Sequence, residues 1–301
     1  DLVAASESIT VKENVKKTVT LIAFIDGSAH ALTLCEYAAL LAKRSGATIK
    51  LYHVLETPVE PDKRDLSGAI NLGARTKLMD ALVSAGEKKS KVALSKGREI
   101  LEKSKEKLEQ FGCPSVELRL RTGDIADSLK SKEAGGDIIL IGKRGERTSE
   151  KKNRIGDNFE RIVRASTKPI FVGNSVFTVI NHVLVAYDGS LPSRRVLEYL
   201  LGNSVFGKLK VSILGVSKAS KDWLEQDQKP YILQINKNNC PIDFIGANGD
   251  PKEQIINHVK NTKCDMLAIG AYGHSKFRNL FIGSTTTTLI HASPVPVLLS
   301  K

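Results

Sequence analysis

"LVAYDGS", Leu184–Ser190, is an apolar run that stops abruptly in Asp-Gly-Ser. The chain contains the phrase twice: "LIAFIDGS", Leu21–Ser28, ends in the same three residues, and Asp26 and Asp188 stand 162 positions apart. A short Val/Ile/Leu run closed by turn residues is the pattern of a strand buried on both faces. The same offset aligns Val54 in "LYHV" with Val216 in "ILGV". Farther on, "GCPSVELRLRTGD" (112–124) answers "NCPIDFIGANGD" (239–250), "DIILIGKRG" (137–145) answers "DMLAIGAYG" (265–273), and "KPIFVG" answers "VPVLLS". The chain is a tandem repeat.

Each copy alternates these runs with helical patterns, which predicts β-α-β units and parallel sheets covered on both faces. Strands are expected near 19–25, 48–54, 115–121, 137–142 and 169–172, and again near 182–187, 209–216, 241–246, 265–270 and 296–300. The domains are then 1–175 and 181–301, with a brief linker between. The first copy carries roughly 35 extra residues within 56–112, where apolar residues at helical spacing and many Lys and Glu predict one or two amphipathic helices. The corresponding part of the second copy has room for a short helix only.

The 301 residues, 41% hydrophobic, suffice for two cores. The net charge of +12 is spread over both halves, so no nucleic-acid partner is implied. Lys143, Arg144, Arg147, Lys151, Lys152 and Arg154 crowd one short stretch, suited to an anion or to a solvated loop. Cys35, Cys113, Cys240 and Cys264 lack metal or half-cystine spacing, which predicts a reducing, cytoplasmic setting. No apolar run reaches the roughly 18 residues of a membrane span, and no charged-then-apolar leader opens the chain.

After the apolar run Met266–Ile269 comes "GAYGHSKFRNLFIGS", residues 270–284. Gly270 and Gly273 admit a close backbone approach, and Gly283-Ser284 begins a helix that Thr285–Thr288 continue. Amides in such a loop and the dipole of the following helix suit a phosphate. A tight turn with Ser284 as a helix cap accounts for the same residues. Neither a G-x-x-x-x-G-K-[ST] loop nor a G-x-G-x-x-G fingerprint occurs.

Asp-Gly-Ser after the first strand, Gly249-Asp250-Pro251 before the third helix, and G-x2-G-x9-G-S over Gly270, Gly273, Gly283 and Ser284 together resemble the universal stress proteins of the tandem type. The resemblance spans nearly all of residues 18–301. It implies two five-stranded parallel sheets of order 3-2-1-4-5, the adenine-nucleotide alpha hydrolase-like architecture, each binding adenosine between strands one and four. Asp188 would meet the ribose, the backbone around Val216 the adenine, and Gly270, Gly273, Gly283, Ser284 and Thr285 the phosphates of ATP, with Mg²⁺ as companion. It further implies pairing of the two domains through their fifth strands, and a homodimer.

The first copy supplies Asp26, Val54, Gly142, Gly145 and Gly156 at matching places. There the spacing is one residue longer, and Asp157 replaces the serine. A carboxylate about 4 Å from a phosphate charge is repelled by roughly 4 kcal/mol at an effective dielectric near 20. The missing serine bond accounts for only about 1.5–3 kcal/mol. The second copy is therefore the expected ATP site and the first a weaker one.

No histidine pair has zinc-ligand spacing, no G-x-S-x-G occurs, and no acid/base pair presents itself. A stress-response regulator or scaffold that binds ATP and hydrolyses it slowly at most is the leading reading. The alternative is an interaction or small-molecule-binding protein whose glycine loop is structural.

Overall fold

In this computed structural model the described residues are 18–28, 30–55, 72–113, 115–132, 135–143, 157–216, 221–271 and 284–301. Of residues 72–85, 131–132, 157–158 and 284 the backbone alone is described. The first copy runs β1 (Thr20–Phe24), α1 (His30–Ser45), β2 (Thr48–Leu55), α2 (Leu72–Gln110), β3 (Val116–Thr122), α3 (Ile125–Lys132), β4 (Ile138–Gly142), α4 (Asp157–Ala165) and β5 (Ile170–Gly173). The second runs β6 (His182–Ala186), α5 (Leu191–Gly202), β7 (Lys210–Val216), α6 (Lys221–Trp223), a π-helical turn over Leu224–Gln228, α7 (Lys229–Ile235), β8 (Ile242–Ala247), α8 (Pro251–Asn261), β9 (Met266–Gly270), α9 (Ser284–Ala292) and β10 (Val297–Ser300). Every strand boundary lies within one residue of its expected place.

The strands form one ten-stranded sheet, β3-β2-β1-β4-β5-β10-β9-β6-β7-β8. Each copy keeps the order 3-2-1-4-5. All pairings within a copy are parallel. The two runs meet where β5 and β10 pair antiparallel, with Leu298 opposite Phe171. A dyad-like arrangement therefore passes between the edge strands that each copy would otherwise expose.

Helices cover both faces. On one face α1, α2, α5 and the α6–α7 segment seal a single cluster shared by both copies. Tyr37, Phe171, Phe206 and Tyr199 form an aromatic chain through it, with ring centroids 5.1, 6.3 and 6.4 Å apart. On the other face lie α3, α4, α8 and α9.

The segment joining the copies is packed down. Ile180 is fully buried, and the Tyr37 hydroxyl donates to the Val176 carbonyl at 3.0 Å while accepting from the Thr178 amide. Arg44, at the end of α1, donates to the carbonyls of Ile180 and Phe206, at 2.5 and 3.3 Å. The surplus of the first copy resolves into one 39-residue helix, α2; the stretch 56–71 before it lies outside the described residues. In the second copy α6, the π turn and α7 stand in its place.

Candidate functional site at the switch in strand order

Parallel register brings the sequence-predicted residues of the second copy to one edge. Ala186 of β6 lies opposite Leu214 of β7 and Ile269 of β9, and the Tyr187 amide continues the ladder to the Leu214 carbonyl at 2.9 Å. Two residues past Ala186 is Asp188, two past Leu214 is Val216, and one past Ile269 is Gly270. All three stand at the carboxyl ends of the strands. There α5 leaves toward one face and α9 toward the other, the crevice in which open α/β sheets bind ligands.

The Asp-Gly-Ser turn is built by its own hydrogen bonds. Asp188 Oδ1 accepts from the Ser190 amide at 2.9 Å, Gly189 adopts φ +75°, and Ser190 caps α5 by accepting from the Ser193 amide. The turn sets the first residues of α5 onto Gly270. A Cβ there would stand 2.5 Å from the Ser193 nitrogen and 2.8 Å from the Pro192 Cβ. Absence of a side chain at Gly270 is thus required by packing, whatever the loop beyond it binds.

The first copy repeats the arrangement. Phe24 lies opposite Tyr52, Ala23 opposite Leu140, and the Ile25 amide donates to the Tyr52 carbonyl at 2.8 Å, which brings Asp26 level with Val54 and Ile25 level with Gly142. Asp26 Oδ1 accepts both the amide and the hydroxyl of Ser28, at 3.0 and 2.6 Å. Gly145, Gly156, Gly273 and Gly283 lie outside the described residues, as do the side chains of Ser284 and Asp157. What is described is that Ser284 and Asp157 open α9 and α4, and that Thr285 is exposed.

The helices that follow the two fourth strands are fastened differently. In the first copy Arg161 of α4 pairs with Asp124, which also caps α3 by accepting from the Ala126 and Asp127 amides. The counterpart of Arg161 in α9 is Thr288. Asp250 retains the capping role at α8, accepting from Lys252 and Glu253.

The sequence did not show how the aromatics beside this turn pack. Trp223 stacks on Tyr187, with centroids 6.0 Å apart and planes at 27°, and its ring edge reaches the place a Cβ on Gly189 would occupy, at 3.0 Å. The Tyr187 hydroxyl donates to Gln228 in the π turn, and burial pushes its ionisation up. Tyr231 of α7 bonds Glu198 and lies under Arg194, whose guanidinium carbon is 5.5 Å from its ring centre. That Trp223 is the sole tryptophan was the available signal.

Other candidate groups are absorbed by packing. His53 is buried, its Nδ1 2.7 Å from the Ile25 carbonyl. All four cysteines are buried and unpaired. Burial pushes the Cys35 thiol up to about 11 and raises Cys113 and Cys264, the reverse of a reactive thiolate. Among the described residues no helix is long and apolar enough to cross a membrane.

Comparison with known proteins follows the same outline. The model of the Universal stress protein family matches residues 20–172 and again 180–301. Universal stress protein Slr1230 of Synechocystis is 33% identical over 278 residues, which cover 91% of this chain and 96% of that protein. Universal stress protein YxiE of Bacillus subtilis is 25% identical over 148 residues, covering 41% of this chain and 100% of its own. Among solved structures, a universal stress protein from Archaeoglobus fulgidus superposes with a TM-score of 0.69 at 20% identity, covering 95% of this chain and 99% of that one, a likeness of fold.

Proposed function

Because the chain belongs to the universal stress protein family and carries its domain twice, we propose that it is a stress-response module that binds ATP in the second copy. The observation that carries this reading is the β7-β6-β9 register, which gathers Asp188, Val216 and Gly270 at the strand switch, ahead of the start of α9 at Ser284. Asp188 would face the ribose and the Val216 backbone the base. Amides of the glycine loop, with Ser284 and Thr285 at the start of α9, would take the phosphates, and Mg²⁺ accompanying ATP would neutralise part of their charge.

On this reading, occupancy of the site acts as a signal. ATP shifts the arrangement of the chain, or of a homodimer, by binding one state more tightly. The units acting in this way are 1–175 and 181–301, in a reducing compartment that suits four buried thiols.

Trp223, packed on the Asp-Gly-Ser turn, supplies the test. Titration of the full-length protein with Mg-ATP should change its fluorescence and give a calorimetric stoichiometry nearer one than two per chain. No heat and no fluorescence change at millimolar Mg-ATP would reject the reading. One observation favours a second reading, a scaffold without nucleotide: packing alone already demands a glycine at 270. Heat-denaturing the purified protein and identifying any released small molecule separates the two.

A further inference from the structure

We propose that Lys143, a residue of the first copy, is a positioning residue for the anion-binding end of the second. It holds the C-terminus of α9 and so fixes where that helix begins. The inference rests on the nucleotide reading above and concerns the regulation of that same site.

The sequence of α9, "STTTTLIHA", is poorly disposed to be a helix. Four consecutive threonines are β-branched and restrict χ1 against the preceding turn. Nine residues are also fewer than an isolated helix needs. Such a helix depends on tertiary contacts, here the burial of Leu289 and Ile290 and the bonds made to its ends. At its C-terminus two bonds come from the first copy: Lys143 Nζ donates to the Ser293 carbonyl at 2.9 Å, and Asn174 Nδ2 to the Pro294 carbonyl at 2.5 Å. An ammonium there meets carbonyls without helical partners at the negative end of the dipole.

The backbone of Lys143 is tied to the sheet. It directly follows β4, and its amide donates to the Gly173 carbonyl at 3.1 Å, which ties its backbone to β5. The N-terminus of α9 lies about 13 Å farther on, at 1.5 Å per residue, so Lys143 acts by placing the helix and not by touching the ligand.

The reverse arrangement is unlike it. Ala271 occupies the position matching Lys143 and offers no side-chain donor. Lys301 does reach across to the Arg164 carbonyl at 2.7 Å. Yet α4 is also tied within its own copy by Arg161–Asp124. The first copy thus steadies the phosphate end of the second, which gives a chain with one stronger nucleotide site a structural use for both halves.

The test is calorimetry on the full chain, wild type, Lys143→Met and Lys143→Arg, with Mg-ATP and with adenosine as separate probes. Lys143→Met should weaken ATP by about twofold to fivefold, as expected for a charge lost at a helix end. Adenosine should change less than twofold, Lys143→Arg should recover most of the ATP affinity, and amides 286–292 should exchange faster in Lys143→Met. A purely structural role would lower thermal stability and move both ligands alike, which overturns the proposal, as does an ATP affinity equal to wild type. A wild-type chain that binds neither ligand overturns the nucleotide reading and this inference with it.

Discussion

The two copies share a register and differ in what fastens their last helix, and the difference separates what the fold needs from what a ligand site needs. In both, the aspartate of the first turn closes that turn on a serine amide, and an aspartate caps the third helix. These features recur because the sheet requires a sharp exit from strand one and a started helix after strand three. The threonine-rich α9 and the ion-paired α4, by contrast, differ in their side-chain ties: α4 carries the Arg161–Asp124 pair within its own copy, while α9, packed through Leu289 and Ile290, also takes Lys143 and Asn174 from across the seam.

The comparison breaks first if the copies are independent bodies. Phe206 is fully buried between Phe171 and Tyr199, in a cluster drawn from both copies. Phe206→Ala should cost about 3–5 kcal/mol and shift one common transition in urea. Fluorescence of Trp223 reports the second copy, and far-ultraviolet dichroism reports the whole. Non-coincident curves for the wild-type protein would show that the shared core does not couple them.

Much of this arrangement was legible in the sequence. Strands buried on both faces read as apolar runs, so all ten could be placed to within a residue. The Asp-Gly-Ser and Gly-Asp turns carry their own local hydrogen bonds, so sequence suffices for them as well. The reason for Gly270 was not legible, because the atoms it must avoid belong to Pro192 and Ser193, nearly eighty positions earlier. Lys143 looked like one more member of a basic cluster, and only the sheet order brings it to Ser293. The packing of Trp223 on Gly189, in the turn that precedes α5, was not legible either, since 34 positions separate the two.

A smaller effect sharpens the role of the glycines. Gly270→Ala places a methyl group against backbone and should destabilise by about 1–3 kcal/mol, whether or not nucleotide is present. Gly86→Ala, within α2 where an added Cβ meets nothing within 4 Å, should instead stabilise by about 0.5–1 kcal/mol. Urea titration of both variants with and without Mg-ATP distinguishes a packing glycine from a phosphate glycine. If the loss at Gly270 appears only in the presence of ligand, the packing argument fails.

The last test addresses the unequal copies directly. Asp157 and Ser284 occupy the same place, the first residue of α4 and of α9. A carboxylate suits the positive end of a helix dipole, so Asp157 favours α4 in the absence of any ligand. That same charge opposes a phosphate arriving at the same amides, since both compete for one positive end. Asp157→Ser should therefore trade a little stability, about 0.3–1 kcal/mol of helix-end electrostatics, for an anion site. Calorimetric stoichiometry with Mg-ATP should rise from near one toward two. Because Arg161 and Asp124 still brace α4, the helix should persist in the variant, and dichroism can verify this. An unchanged stoichiometry in a folded variant would mean that the extra residue in the first glycine loop, and not the acid, is what sets the copies apart.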